Sequence, residues 1–244
     1  MVFKPSEVTP LQGLYEEIMQ GAGFMADAIQ VVYGGKEVGA QLIEQRPDKI
    51  HFTGSTRAGK QVMAAAAQHL IQVDLELGGK DAAIVFDDVN VEKTANGIIW
   101  SAFTNAGQAC TSIERCFVQE PIYDQFVEQV VALAQKLRLS TPERDGKAPD
   151  QCDVGCMTAE FQLKIVEDHL VEAVAQGARV LCGGQRLPGT LHFPPTVVVD
   201  VTPQMKLWSA ETFGPVLPIM KFQTEAEVIA QANDTPYGLG GSVW

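Results

Sequence analysis

Short strand-like runs alternate with helix-like runs between residues 29 and 77. The pattern predicts strands at 29–33, 49–52 and 71–77 and helices at 38–46 and around 62–70, with glycine or proline at the junctions. Connections of this length imply right-handed crossovers and a parallel sheet with both faces covered. The sequence therefore predicts an α/β fold built on a parallel sheet.

The rest of the chain continues the alternation less regularly. Thr9 and Pro10 are predicted to open a first helix that carries Leu14 and Ile18 on one side. Residues 140–156 are rich in Pro, Gly, Asp and Cys and predict a surface loop. Further strands are predicted at 82–86, around 117–118, 179–182, 194–199, 216–222 and from 241 onward, and helices from 91, at 123–137, 159–176 and 225–232.

Charge and cysteine usage exclude several classes of protein. The net charge is −12, from 18 basic and 30 acidic residues, which argues against nucleic acid or an anionic membrane as the main partner. The five cysteines are dispersed, and no secretory signal precedes them. No apolar run approaches the ~18 residues that span a bilayer. We expect a cytoplasmic protein with free thiols.

One of these cysteines is placed for chemistry. Cys110 follows Gly107 on a predicted loop between a helix that ends near residue 103 and a strand at 117–118. Glycine lets the backbone turn there, and loops between regular elements are common positions for groups that meet a ligand. The alternative is a small buried hydrophobe, the usual role of a free cysteine.

Residues 52–60 are a candidate phosphate site, because a strand, a glycine turn and a helix start follow one another. Backbone N–H groups at such a helix start hold phosphate, and Gly54, Gly59 and Lys60 also fit P-loop spacing. Gln61 stands where a P-loop needs a small hydroxyl for Mg²⁺, which argues against an NTPase. A dinucleotide pyrophosphate is the better interpretation, and a tight turn with ordinary capping is the alternative.

Two carboxylates lie beside glycine turns. Glu76 ends a predicted strand before Gly78 and Gly79, where it could act as a general base. Glu211 begins the turn at residues 211–215, which also carries Phe213; these two could contact a ribose and flank a nicotinamide ring. Each feature alone is also compatible with an ordinary turn.

The sequence predicts no metal site. Cys152 and Cys156 lack the second pair of ligands that zinc needs, and the four histidines are scattered. A Cys–His hydrolase is disfavoured because no histidine has a context that marks it as a base for Cys110.

Five stretches taken together and in order closely resemble the aldehyde dehydrogenase superfamily: residues 4–10 (KPSEVTP), 52–55 (FTGS), 76–80 (ELGGK), 107–110 (GQAC) and 211–215 (ETFGP). The resemblance implies an NAD(P)-dependent oxidoreductase that converts an aldehyde to a carboxylic acid. It also implies a partial Rossmann-like cofactor domain at residues 1–76, followed by most of a catalytic α/β domain at 77–244.

The resemblance assigns roles residue by residue. Cys110 would be the nucleophile and Glu76 the base. Lys4 and Glu7 would contact the adenosine ribose. The remaining cofactor contacts would come from Gly54, Ser55, Leu77, Glu211 and Phe213. NAD is expected in preference to NADP, because the Glu7 carboxylate would repel a 2′-phosphate.

The family pattern extends beyond this chain at both ends. An asparagine that donates to the oxyanion, the first strands of the cofactor domain and the oligomerisation hairpin are expected outside it. We therefore expect low turnover from these 244 residues alone. A truncated remnant that binds a nucleotide or partner without turnover is the alternative function. The particular aldehyde and the oligomeric state stay open, with a homo-oligomer as the expectation.

Overall fold

Residues 1–9, 11–25, 28–141 and 151–244 are described by the computed structural model. The chain divides into two compact units, Met1–Leu77 and Gly78–Trp244. Pro10 of the predicted first helix, and residues 142–150 of the predicted surface loop, lie outside the described residues.

The first unit contains two parallel strand pairs among its described residues. Its elements are β1 Val2–Phe3, α1 Leu14–Gly21, β2 Gln30–Val31, α2 Lys36–Glu44, β3 Lys49–Thr53, α3 Thr56–Ala67 and β4 Gln72–Glu76. Strand β1 pairs with β2, and β3 pairs with β4; both pairs are parallel, as expected for strands joined by helical crossovers. Ser55 caps helix α3, since its hydroxyl oxygen accepts the Ala58 N–H at 3.2 Å.

The second unit is a six-stranded sheet packed with helices. Its strands are β5 Asp81–Val85, β6 Ile113–Gln119, β7 Arg179–Cys182, β8 Thr196–Val199, β9 Val216–Phe222 and β10 Gly241–Val243. Their order in the sheet is β10-β5-β6-β9-β8-β7 over the described residues, and all neighbours are parallel except β7 and β8. The helices are α4 Val91–Phe103, α5 Tyr123–Lys136, α6 Glu160–Ala175, α7 Lys206–Ser209 and α8 Glu225–Asn233.

The core of this unit lies around the central strands. Phe117 on β6 and Phe222 on β9 are fully buried. Phe126 and Val130 bring the apolar stripe of α5 into the same cluster, at the four-residue spacing of one helix face. An apolar strand buried on both faces is typical of a parallel sheet covered by helices.

Three details differ from the sequence-based predictions. The first helix begins at Leu14 and not after Thr9, because Gly13 turns the chain with φ 86°. The strand β7 runs antiparallel. The predicted surface loop at 140–156 is partly interior, since Ser140 and Val154 are buried and the Ser140 N–H donates to the Val154 carbonyl at 2.8 Å.

Candidate functional site

Three of the predicted functional segments lie at the same edge of the six-stranded sheet, at the amino ends of its strands. Gly78–Lys80 leads into β5, Cys110 precedes β6, and the turn at 211–215 leads into β9. Since β5, β6 and β9 run parallel, their amino ends share one edge. The second unit therefore brings the cysteine turn and the Glu211 turn together.

The cysteine turn has an unusual backbone. Asn105, Ala106 and Gly107 all have left-handed conformations, with φ values of 53°, 57° and 69°. Asn105 and Gln108 support the turn through two hydrogen bonds of 3.0 Å. The side-chain amide of Asn105 donates to the backbone carbonyl of Gln108, and the side-chain amide of Gln108 donates to the backbone carbonyl of Asn105. Strained residues of this kind persist only where their surroundings fix them.

Side chains on either side of Cys110 fix the turn to the rest of the unit. The Gln108 amide accepts the Thr158 N–H at 2.8 Å and donates to the Cys156 carbonyl at 3.3 Å. The Ser112 hydroxyl donates to the Ser101 carbonyl at 3.1 Å. Cys110 itself is partly exposed between these anchors.

Close backbone contacts join the three segments. Gly107 lies directly against the Gly214 carbonyl, and an added Cβ at Gly79 would lie 2.5 Å from the Cys110 carbonyl oxygen. The Gly79 N–H donates to Glu211 Oε1 at 3.1 Å. Burial raises the pKa of Glu211, and the Gly79 N–H opposes that shift. Only glycine permits approaches this close.

A buried polar cluster, which no sequence motif predicted, lies beneath the Glu211 turn. Lys80 donates to Glu114 Oε2 at 2.7 Å, and Glu114 accepts the N–H groups of Thr212 and Phe213. Arg115 donates to the backbone carbonyl of Lys80. The available signal was a pair of charged residues, 114 and 115, at the start of an otherwise apolar strand.

The first unit holds the proposed ribose contacts. Lys4 Nζ lies 3.7 Å from Glu7 Oε2, and the Lys4 side chain packs beside Gly39 of α2. The Glu7 side chain is 58% exposed, so its oxygens remain available as acceptors.

The same unit places Glu76 beside the predicted phosphate turn. The Gly54 N–H donates to the Glu76 carbonyl at 3.0 Å, and Thr53 pairs with Glu76 across β3 and β4. Gly54 itself lies against the Phe52 ring. Leu77 packs against Gly59 of α3, where an added Cβ would lie 2.5 Å from a Leu77 methyl carbon. Close packing of the helix therefore explains why residue 59, the second glycine of the P-loop spacing, is a glycine.

The other four cysteines differ from one another in burial. Burial raises the pKa of Cys116 far above its usual range, and burial also raises the pKa of Cys182. Cys152 is partly exposed and Cys156 is exposed. In the described part of the chain, no group of three or more His, Cys, Asp or Glu side chains is arranged to hold a metal ion.

A cleft of about 930 Å³ lies at the opposite, carboxyl ends of the sheet strands. Its walls include Tyr123, Asp200, Trp208 and Lys221, and the cysteine turn does not line it. Ligands of open α/β sheets usually bind at the carboxyl edge. In this unit, however, the candidate chemistry lies at the amino edge, where the three segments meet.

Comparison with known proteins gives the family of the chain. Residues 1–244 match the aldehyde dehydrogenase family. The chain is 39% identical over 243 residues to the succinate-semialdehyde dehydrogenase [NADP(+)] GabD of Escherichia coli (strain K12), covering 98% of this chain and 49% of that protein. It is 40% identical over 248 residues to the betaine aldehyde dehydrogenase of Cereibacter sphaeroides, covering 100% of this chain and 50% of the relative.

Solved structures give the same result. Lactaldehyde dehydrogenase from Escherichia coli superposes with a TM-score of 0.93 at 38% identity, covering all of this chain and 51% of the other. An NAD-dependent aldehyde dehydrogenase from Sinorhizobium meliloti superposes with a TM-score of 0.92 at 35% identity, covering all of this chain and 48% of the other.

The fold and site define an α/β protein with a partly exposed cysteine on a turn that side-chain hydrogen bonds hold in place. The chain belongs to the aldehyde dehydrogenase family. It spans about half the length of the curated relatives it matches. Among its described helices, none has both the length and the apolar character of a bilayer-spanning segment.

Proposed function

We propose that the protein oxidises an aldehyde to a carboxylic acid with NAD, with Cys110 as the nucleophile and Glu76 as the general base. The observation that carries this proposal is the meeting of the Cys110, Gly79 and Glu211 segments at one edge of the sheet. Family membership supports the reaction class.

The proposed first step uses the thiolate of Cys110. Its sulfur forms a bond to the aldehyde carbon, and the carbonyl oxygen takes the negative charge. The Cys110 backbone N–H is the proposed oxyanion donor. When bound, NAD supplies the acceptor for the hydride that leaves this carbon, and the substrate then remains on Cys110 as a thioester.

The second step hydrolyses that thioester. Glu76 takes a proton from water while the water oxygen attacks the thioester carbon, and the Cys110 sulfur leaves. The bond between carbon and sulfur breaks, the acid is released, and the thiolate is restored. Exposure of Glu76 supports this role, because a general base must reach water.

The residues present suit a dinucleotide. Glu7 offers a carboxylate for ribose hydroxyls, and the capped start of α3 after Gly54 offers backbone N–H groups for the pyrophosphate. Leu77, Glu211 and Phe213 are the proposed contacts of the nicotinamide half. We propose a preference for NAD over NADP, since Glu7 would repel a 2′-phosphate and Lys4 only partly offsets that repulsion.

The test is NADH formation from a panel of aliphatic and aromatic aldehydes, using the chain together with any flanking coding sequence. Cys110→Ser should abolish turnover, whereas Cys156→Ser, an exposed cysteine outside the proposed chemistry, should leave it unchanged. Glu76→Gln should let the thioester accumulate. NAD binding without NADH formation would refute the enzyme proposal and favour the non-catalytic alternative. Size-exclusion chromatography of the same sample tests the expected homo-oligomer.

A further inference from the structure

An ion pair lies almost completely enclosed beneath the Glu211 turn. Lys80 is 2% exposed and Glu114 is 3% exposed, and their Nζ and Oε2 atoms lie 2.7 Å apart. Enclosing two charges carries a large desolvation cost, so an ion pair alone is a poor reason to keep them there.

Glu114 makes further contacts that account for its position. Its Oε2 accepts the Thr212 N–H at 2.7 Å, and its Oε1 accepts the Phe213 N–H at 2.8 Å. The pairing of β6 with β9 begins at Cys116 and Ile219. The Glu114 carboxylate therefore binds two consecutive backbone amides that lie before the start of this pairing. Charge-assisted bonds of this length are among the stronger ones in proteins.

The side chain of Thr212 is fixed as well. Lys80 Nζ donates to Thr212 Oγ1 at 3.3 Å, and His169 Nδ1 lies 3.2 Å from the same oxygen. Burial lowers the pKa of His169 to about 4, so its ring is neutral at pH 7. In the tautomer protonated at Nε2, Nδ1 accepts the Thr212 hydroxyl proton. Gln162 also donates to the Thr212 carbonyl at 2.8 Å.

The segment held in this way has a strained backbone. Phe213 has φ 49°, a left-handed conformation that an aromatic residue rarely adopts. Such a conformation persists only if the surroundings impose it. The two consecutive N–H groups bound to Glu114 fix the peptide planes on either side of Thr212, directly before this left-handed residue.

We infer that Glu114 is a positioning residue, which holds the Thr212–Phe213 backbone so that Glu211 and Phe213 present one arrangement to the nicotinamide half of the cofactor. Lys80 is its counter-charge. The inference rests on the proposed function for the contacts of Glu211 and Phe213. It assigns to Glu114 a part in cofactor binding without contact with the cofactor.

The first measurement follows amide hydrogen exchange by NMR. In the unsubstituted protein, the amides of Thr212 and Phe213 should be protected to the same degree as strand amides of β9. The double variant Lys80→Met/Glu114→Leu removes both charges and keeps the volume apolar, which buried pairs often tolerate. Exchange at the two amides should then accelerate about tenfold to a hundredfold, as expected for the loss of one charge-assisted bond each.

Two further variants make this result specific. Glu114→Gln keeps the shape and one acceptor oxygen, and its exchange rates should be intermediate. Asp81→Asn removes another buried carboxylate, which binds the Gly240 N–H, and should leave the two amides protected. Loop-like exchange at Thr212 and Phe213 in the unsubstituted protein would overturn the inference even if the double variant does not fold.

The second measurement is cofactor binding by calorimetry, with the kinetic constants where turnover is found. The double variant should weaken NAD binding about tenfold, because a mobile Thr212–Phe213 segment spends only a fraction of its time in the conformation that binds NAD. For the same reason, it should raise the KM for NAD by a larger factor than it lowers kcat. Accelerated exchange with unchanged NAD affinity would refute the inference. Failure of the unsubstituted protein to bind NAD would instead refute the proposed function, and the exchange data would still decide whether Glu114 holds the segment.

Discussion

The substitution Gly107→Ala tests how tightly the cysteine turn is packed. Gly107 has φ 69°, and a methyl group there would overlap the Gly214 carbonyl and lie 3.1 Å from the Ala102 carbonyl oxygen. Both obstacles are backbone atoms, which cannot move aside as a flexible side chain does. Gly189 is a matched control, since its φ is 72° and an added Cβ would meet nothing within 4 Å.

The difference between the two variants separates two costs. An alanine held in the left-handed region loses about 1–2 kcal/mol, and Gly189→Ala should show this loss alone. Overpacking adds about 1–3 kcal/mol at Gly107, for a total of about 2–5 kcal/mol. We therefore expect Gly107→Ala to be less stable than Gly189→Ala by about 1–3 kcal/mol.

Urea unfolding followed by tryptophan fluorescence measures this difference. All three tryptophans, Trp100, Trp208 and Trp244, lie in the second unit, so the signal reports the unit that contains both glycines. The rate of Cys110 alkylation should change in Gly107→Ala and stay constant in Gly189→Ala. Equal free energies of unfolding for the two variants would refute the argument that the turn packs against Gly214.

Four further predictions follow from the described geometry. Substoichiometric iodoacetamide should label Cys110 first and the fully buried Cys116 last, as measured by peptide mapping. Earlier labelling of Cys152 or Cys156 would count against Cys110 as the reactive thiol. NAD should bind more tightly than NADP, and Glu7→Gln should reduce the difference between the two affinities. Equal affinities in the unsubstituted protein would show that Glu7 does not face the ribose. The free energy of unfolding should fall as the pH drops from 6.5 towards 4. In that range His169 binds a proton in the unfolded chain, where its pKa is the usual 6.5, but not in the folded state, where its pKa is about 4. His169→Gln should reduce this pH dependence in urea titrations, and an unchanged dependence would contradict the lowered pKa. Glu114→Ala should lower the free energy of unfolding in urea by about 3–5 kcal/mol, because it leaves a buried cation and two backbone amides without their carboxylate. Lys80→Met should lower it less, and the reverse order would show that the two amide hydrogen bonds contribute little.

The local pattern of the chain was sufficient to predict most of its regular elements. Helix α5 and helix α6 end within one residue of the predicted bounds, because an apolar stripe at helical spacing and a flanking strand delimit each. The first helix was mispredicted because Gly13 turns the chain before Leu14, and a distant residue supports that turn. The Gly13 N–H donates to Tyr33 Oη, and that hydroxyl donates to Glu16, a contact that no local pattern reveals.

The site was predictable only where it follows a turn motif. Cys110 and Glu211 each lie three residues from a glycine, Gly107 and Gly214, and glycines mark close backbone approaches. Glu114 has no such mark. Lys80 follows Gly79, but its pairing with Glu114 joins residues 34 positions apart and depends on the register of β5 against β6. Buried charge pairs of this kind become visible only when the strands are aligned.

The placement of the cysteine turn and the Glu211 turn at the amino edge has a practical consequence for protein engineering. The segments that follow β5, β6 and β9 lie at the far edge and expose Asp87, Glu120 and Gln223 to solvent. Glu120 begins a short helical turn and Gln223 belongs to the cap of α8, so Asp87, in the turn before α4, is the better insertion point for a peptide tag or a fluorescent reporter. Such insertions should be tolerated by the fold, because exposed connections accept added length at little entropic cost. The far edge is therefore the place to attach a label or a surface anchor to this protein.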